Sequence, residues 1–477
     1  MRAGQFNLSL LRDDRVRVAF VLGLLVAASF GRTIGYGLYL DDYHLTRPWS
    51  ASEMLRSFAG PFDTSGFNPI YFRPFAGVSM GMDWNVWGLH TWGFHITNLV
   101  LHWLAGCVVY LVVRHLTAQR WIAVAAAMLF VITPSNVATA VYVAERTDAM
   151  VAIWIGAAML VVRNYHITRN ARMLALLVVV YVLALLSKEA GLSLLPFAGA
   201  YWWYLCVQAQ SPVERSFTGT TLLAAWKREI SAWLRAAFAP AGRKAWLWVC
   251  GPLVATFVVY LAYRQAVLPP GSLSNRFDES NVNPLRALLQ GTWGTMKGVP
   301  WEVRSRALPS LLVAIALAVV TAPRSRHWRV VALGLLWMLA GVLPLTFNGG
   351  TEPRLLYVAE IGMAAFVVGI ISVLVDGANR RDRVGPQLSV MRAVLSAVAL
   401  TFAVTTVVAM VEAQNEFRPG SDKRLAADLS VWNDSEKVKI LLPEYLAEIR
   451  SQLLAAGLIQ PTDKPGQGPA ERVSPAP

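Results

Sequence analysis

The run VRVAFVLGLLVAASFGRTIGYGL, Val16–Leu38, decides how the rest of the chain is read. Between Arg17 and Arg32 it holds no charged side chain, and a hydrocarbon core about 30 Å thick asks for roughly 20 apolar residues. Arg12, Arg15 and Arg17 stand ahead of it as in a secretory leader. The apolar stretch continues past any good small-x-small cleavage site to Leu40, so it reads as a retained first helix. Directly behind it come two carboxylates, Asp41 and Asp42.

Runs of the same kind recur along the chain. After Val16–Leu38 they are Phe94–Val113, Trp121–Val143, Ala149–Val162, Met173–Ser187, Ala190–Cys206 and Ala245–Gln265, then Ala307–Ala322, Val330–Phe347, Leu355–Val375 and Val390–Val411. These predict an all-α polytopic membrane protein of about eleven transmembrane helices, with a membrane domain over 1–411 and an outer segment over 412–477. Composition agrees: 55% of residues are hydrophobic and 15% charged, and mean hydropathy is +0.45, where a soluble chain carries about 25% charge. The three cysteines, Cys107, Cys206 and Cys250, lie in or beside apolar runs and support neither a disulfide framework nor a zinc cluster.

The net charge of +14 invites a nucleic-acid reading until the charges are placed. Connections 1–15, 114–120, 163–172, 207–244, 323–329 and 376–392 carry 21 Lys and Arg against 6 Asp and Glu, an excess larger than the net charge of the whole chain. This is the positive-inside signature. It makes 207–244 a cytoplasmic loop, puts the N-terminus in the cytoplasm and removes nucleic acid as a partner. A multi-pass place in a cell inner membrane follows, with 41–93 on the periplasmic or outer side. That outer loop carries Trp49, Phe58, Phe62, Phe67, Tyr71, Phe72, Trp84, Trp87 and Trp92, a density that suits amphipathic juxtamembrane helices in the headgroup zone, at Met54–Phe58 and Phe75–Trp87. In the outer segment, Leu442–Leu454 reads as an amphipathic helix and Gln460–Pro477 as disordered; no 34-residue repeat follows the last span.

Charge recurs at one depth on the outer side. Asp41 and Asp42 read either as helix caps or as a pair in which one acid takes a proton and the other holds a phosphate-bound metal or orients the acceptor. Glu145-Arg146-Thr147-Asp148 joins two spans, Lys188-Glu189 separates two others, and Glu352-Pro353-Arg354 precedes Tyr357 and Glu360. Ionisable groups so near lipid usually face a cavity, and acids with separate cations there suit a phosphate-bearing lipid. His95, Asn98 and His102 share one helix face. They read as interhelical hydrogen bonding or, with Asp42, as candidate ligands of a divalent cation, so the cofactor stays undecided. Arg32 reads as partner to an outer acid or as a snorkelling side chain.

In order, Tyr71-Phe72-Arg73-Pro74-Phe75, Gly93-Phe94-His95-Ile96-Thr97-Asn98 with His102, Pro134 followed by Glu145-Arg146-Thr147-Asp148, Leu185-Leu186-Ser187-Lys188-Glu189-Ala190-Gly191 and Glu352-Pro353-Arg354-Leu355-Leu356-Tyr357 resemble motifs of the transmembrane tetratricopeptide-repeat O-mannosyltransferases and their bacterial relatives. These belong to the C-type (GT-C) membrane glycosyltransferases. The resemblance covers residues 30–200 well and the Glu352 region more thinly. It departs in Pro353 and in the lack of a repeat domain after the spans.

The resemblance implies an inverting enzyme that moves a sugar from a polyprenyl-phosphate donor to a glycan, lipid or protein acceptor on the outer face. Its catalytic acid would be Asp41 or Asp42. Arg73, Glu145, Arg146, Asp148, Lys188 and Glu189 would line the donor-phosphate pocket, joined by Glu352, Arg354 and Tyr357. Two other classes fit the composition: a transporter or flippase of lipid-linked sugars, and a polymerase or ligase of lipid-linked glycans. Against a transporter, the polar groups gather at one surface and no internal pseudo-symmetry is visible. The orientation is directly testable: a cysteine introduced at Ser65 should be labelled by an impermeant maleimide from outside, and one at Ser216 should be protected until the membrane is opened.

Overall fold

In a computed structural model of the chain, residues 13–63, 70–210, 222–238, 240–270, 327–343, 356–379 and 404–466 are described. Helix α1, Asp14–Phe30, starts where the Asp13 carboxylate accepts from the Arg15 backbone N–H at 2.8 Å. Val18, Leu22, Val26 and Phe30, four apart, are buried on one side, whereas Phe20, Val21 and Leu24 are exposed as on a lipid-facing surface. Past Phe30 the helix tightens into a 3-10 turn, Gly31–Gly35, so the span ends earlier than Leu38.

The outer loop is helical in short pieces: α2 Asp42–Leu45, α3 Ala51–Arg56 and α4 Pro74–Trp87. A reciprocal cap starts α3, with the Ser50 hydroxyl accepting from Glu53 N–H and the Glu53 carboxylate accepting from Ser50 N–H. Proline at the first position of α4 gives up no helical hydrogen bond. The exposed Leu55, Met82 and Val86 give both helices an apolar outer face. Phe67 and Ser65 lie outside the described residues.

Then follow α5 Thr91–Thr117, α6 Arg120–Ile132, α7 Val137–Val141, α8 Arg146–Thr168, α9 Ala171–Ser187, α10 Leu194–Gln210, α11 Leu222–Phe238 and α12 Pro240–Val267, with α13 Trp328–Val342 and α14 Ala359–Asn379 beyond. Helix α5 packs on α1, α6 and α8, and α9 packs on α8 and α12. The expected single span Trp121–Val143 is broken: Thr133 precedes Pro134 and takes an extended ψ of 128°, and the chain bends by 53°. The expected short span at Ala149–Val162 is longer, because Arg146, Thr147 and Asp148 are buried in protein and helical instead of ending the helix. Helices α13 and α14 touch closely, since a Cβ at Gly362 would collide with the Met338 backbone nitrogen.

Among the described residues five helices are long and apolar enough to cross a membrane, six with the bent pair taken as one, and three shorter apolar helices accompany them. The chain is thus all-helical and polytopic. Of the eleven expected spans, Ala307–Ala322 and most of Val390–Val411 lie outside the described residues.

The segment after residue 412 is folded through residue 466, including 460–466 of the stretch expected to be disordered; 467–477 lie outside the described residues. Residues 404–415 are helical, followed by α15 Asp422–Asn433, α16 Ser435–Ile440 and α17 Pro443–Ala455, the last matching the amphipathic run in the sequence. Val431, Trp432, Tyr445, Ile449 and Leu453 share an apolar cluster with Leu38 and Tyr43 of the loop after α1. Arg424 binds both oxygens of Asp428 at 3.1 Å, the Tyr43 hydroxyl at 2.8 Å and the Tyr36 carbonyl at 3.2 Å. Among the described residues Arg32 pairs with no acid; it donates to Gln414 Oε1 at 2.9 Å and to the Val411 carbonyl. Because both members of the Arg424–Asp428 pair are buried, Arg424→Ala should destabilise the protein by about 3 kcal/mol. Thermal unfolding and protease sensitivity after residue 420 would register the loss.

Candidate active site

The site begins with strain. Leu40 has φ of +45°, a left-handed conformation costing a branched residue about 1–3 kcal/mol. It turns the chain so that Asp41 and Asp42 follow in different surroundings. Asp42 is fully buried. Its carboxylate accepts three backbone N–H groups, from Ala144 at 2.7 Å, Tyr39 at 3.1 Å and Val143 at 3.2 Å. Burial pushes the Asp42 carboxyl up to about 8, against the pull of those three donors. Asp42 therefore ties the outer loop to the turn before α8. Asp41 is half-buried, and although it occupies the cap position of α2 its side chain makes no capping bond. Its backbone N–H donates to the Tyr142 hydroxyl at 3.2 Å. Of the two acids, Asp41 is the one whose carboxylate is available.

The turn that Asp42 holds also presents the charges that follow it. Glu145 and Asp148, one helical turn apart at the start of α8, both accept from Lys188 Nζ at 2.6 Å. Lys188 ends α9 in an extended conformation, and the chain doubles back so tightly that a Cβ on Gly191 would stand 2.5 Å from the Ala184 carbonyl. Next to it, Glu189 accepts from Arg73 Nε and Nη2, each at 2.8 Å. Burial works against the charge on Arg73, but Glu189 outweighs it and its pKa rises. Arg73 also lies over the Tyr71 ring at 4.2 Å. Tyr142 is in electrostatic reach of Asp41, Asp42 and Glu145, and burial with these carboxylates holds its phenol well above the ordinary value. One region thus contains Asp41, Asp42, Tyr142, Glu145, Asp148 and Lys188, with Arg73 on Glu189 beside it.

Two other expected site residues, Arg146 and Tyr357, adjoin this region but are engaged by protein. Arg146 is fully buried and engaged by protein: Asp83 Oδ2 at 2.5 Å, with Ser79 Oγ and the Phe94 and Val143 carbonyls each at 3.2 Å. It fastens α4 and α5 to α8 instead of presenting a free fork to a phosphate. Tyr357 is buried, its hydroxyl 2.7 Å from His102 Nδ1, and so bridges helices. Glu352 and Arg354 lie outside the described residues.

The metal reading of the α5 stripe finds no support in geometry. His95 Nε2 meets the Gly37 carbonyl at 2.9 Å, Asn98 donates to the Tyr142 carbonyl at 3.0 Å, and the second nitrogen of His102 meets the Val131 carbonyl at 3.0 Å. Seven residues along a helix separate the two imidazoles by about 10 Å. No group of three or more His, Cys, Asp or Glu among the described residues could hold a metal ion.

Sequence reasoning missed Asp83, Tyr142 and Arg424. Asp83, the one charge in an otherwise apolar α4, was the available signal; Arg424 and Asp428 at i, i+4 was another.

By sequence match, the membrane region resembles the C-type (GT-C) membrane glycosyltransferases. Residues 65–239 match the dolichyl-phosphate-mannose-protein mannosyltransferase family, PMT. The chain is similar to Protein O-mannosyl-transferase Tmtc1 of Drosophila melanogaster, 29% identical over 144 residues, which is 30% of this chain and 16% of that one. It is likewise similar to Tmtc2 of the same organism, 30% identical over 141 residues, or 28% of this chain and 14% of that one. The match thus spans less than a fifth of the length of these relatives. A crystal structure of the Archaeoglobus fulgidus oligosaccharyltransferase, tethered with an acceptor peptide, aligns over 97% of this chain and 61% of that one, with a TM-score of 0.47 and 13% identity.

If Arg146 is a fastener, Arg146→Gln should lower thermal stability by about 3 kcal/mol by stranding the buried Asp83 charge. A double variant with Asp83→Asn should recover part of that loss, as read by paired melting curves.

Proposed function

We propose that this protein is a glycosyltransferase that moves a sugar from a polyprenyl-phosphate donor to an acceptor hydroxyl at the outer face of the membrane, with inversion. The observation that carries the reading is the division of labour in the Asp41–Asp42 pair. A fully buried Asp42 bonds three backbone N–H groups and holds the loop on the turn before α8, and the adjacent Asp41 keeps its carboxylate uncommitted. The ordered motifs and the match of residues 65–239 support the same class.

In this reading Asp41 is the general base. Its carboxylate removes the acceptor hydroxyl proton as that oxygen attacks the anomeric carbon from the side opposite the phosphate. The carbon–oxygen bond to the polyprenyl phosphate breaks, the electron pair leaves with the phosphate, and the proton stays on Asp41. Lys188 and Arg73 stand where negative charge would develop on the leaving group, held in place by Glu145, Asp148 and Glu189. Arg146 and Asp42 are positioning residues. No step is assigned to a metal.

The test is transfer of label from radiolabelled polyprenyl-phosphate sugars to acceptors in inverted and right-side-out vesicles. Asp41→Asn should lower turnover about a hundredfold or more, in the range general bases contribute, without changing the melting temperature. Asp42→Asn should lose both activity and stability, because an amide cannot accept from all three N–H groups. Full activity in both variants overturns the assignment of the base. Lys188→Met should raise the KM for the lipid donor about tenfold, the scale of one charge-assisted contact; an unchanged KM removes Lys188 from the donor site.

A further inference from the structure

Helix α11, Leu222–Phe238, connects two apolar helical stretches that are each long enough to cross a membrane, Glu189–Ala209 and Trp246–Val267. It therefore sits where both of them end on one side of the bundle. Its packed face is anchored by charge and by rings. Glu229 accepts from Arg329 of α13, Nε at 3.0 Å and Nη2 at 3.1 Å, and both side chains are buried. One turn on, the Trp233 carbonyl accepts from Trp203 Nε1 of α10 at 3.0 Å. The Trp233 ring meets those of Trp203 and Trp328, with centroids 5.0 and 6.1 Å away. Glu229, Ala232 and Trp233, all buried, cover about a third of the helix circumference at 3.6 residues per turn.

The remaining circumference is exposed, and it is not uniformly polar. Ile230 and Leu234, one turn apart on a single face, are 53% and 50% exposed. Cations border them: Lys227 lies one turn before Ile230, Arg235 follows Leu234, and Arg228 lies two turns before Arg235, all three exposed. The helix contains a single acid, Glu229, and that acid is committed to Arg329. Beside α11, the start of α12 exposes Trp246, Leu247 and Trp248, and indoles at the end of a span mark the headgroup depth. One sector of α11 is thus docked on protein, one is aliphatic, and one is cationic.

Two aliphatic side chains are far short of the roughly 20 residues a side that a stable protein interface uses. A lipid leaflet needs no such shape match. It offers acyl chains to the aliphatic sector and phosphates to the cations beside it, the arrangement of a helix lying in a membrane interface.

We propose that the exposed face of α11 is a docking surface for anionic phospholipid, with Ile230 and Leu234 in the acyl region and Lys227, Arg228 and Arg235 at the headgroup phosphates. The surface is separate from the Asp41 site and does not rest on the reaction proposed for it.

The test uses the full chain, with Cys107, Cys206 and Cys250 replaced by alanine, in nanodiscs of phosphatidylcholine mixed with phosphatidylglycerol. A nitroxide on Leu234→Cys should collide with oxygen more often than with a water-soluble nickel chelate. A fluorophore at the same position should be quenched more strongly by brominated phosphatidylglycerol than by brominated phosphatidylcholine. Lys227→Gln combined with Arg235→Gln should cut that preference at least about fivefold, the scale of one cation near an anionic surface. High salt should reduce it as well, and Lys227→Arg, which keeps the charge, should leave it intact.

Preferential collision with the nickel chelate puts the face in water and overturns the docking. Shielding from both reagents overturns it too, because protein then covers the face, whether a second copy or another part of the chain. Equal quenching by the two brominated lipids overturns the anionic assignment. So does a preference that persists in the double variant at wild-type melting temperature.

Discussion

Three backbone N–H groups converging on the Asp42 carboxyl set the geometry on which the candidate site depends. The bond is unusual in where its halves come from: Tyr39 lies in the loop after the first helix, and Val143 and Ala144 lie in the turn that starts α8. A carboxyl group is suited to this task because its two oxygens together offer several acceptor lone pairs, so each loop backbone finds a partner without competing for a side chain. Everything that follows Ala144, namely Glu145, Asp148 and through them Lys188, inherits its position from that contact. The strained Leu40 supplies the change of direction that leaves the neighbouring Asp41 outside the same hydrogen-bond set.

Low dielectric surroundings explain the rest of the arrangement. Near a bilayer, ionisable side chains persist when they meet one another or a backbone carbonyl, and here they are organised in short chains: Arg73 on Glu189, Lys188 between two acids, Arg146 on Asp83. Such chains are rigid as well as neutralised. They hold α4, α8 and the α9–α10 reversal in register, and the apolar helices behind them need only pack. The broken helix at Pro134 has the same logic, since the bend brings Ser135 to Glu360 and the Tyr142 backbone to Asn98, bonds that a straight helix would not make.

Much of the architecture was legible in the sequence because the bilayer imposes a length and a hydrophobicity that single segments cannot hide. The first helix, the α5 span and the helices of the outer loop follow from apolar runs, caps and aromatic density. The kink at Thr133–Pro134 is visible in the residues, but hydropathy averages over it and merges the run into one span. The candidate site was legible as a set of charges at one depth. The roles within it were not, because they depend on partners far apart in sequence. Asp41 and Asp42 are adjacent and chemically identical, and the backbone N–H groups of Tyr39, Val143 and Ala144 distinguish them. Arg146 reads as a phosphate ligand until Asp83, 63 residues earlier, is placed against it. Arg264 could not be singled out at all, since an arginine at the end of an apolar helix ordinarily snorkels. Among the described residues its lack of a paired acid emerges only when Arg146, Lys188, Arg329 and Arg424 are each seen to have one.

The contacts between Tyr43 and Asp428, and between Thr46 and Tyr445, join residues separated by 385 and 399 positions. During synthesis the loop bearing Asp41 is made long before residues 424–449 exist. Until they arrive, the loop lacks its Arg424–Asp428 anchor and the apolar cover of Trp432 and Ile449. The loop therefore cannot be locked until residues 424–449 have been made, which separates its first appearance from its final packing.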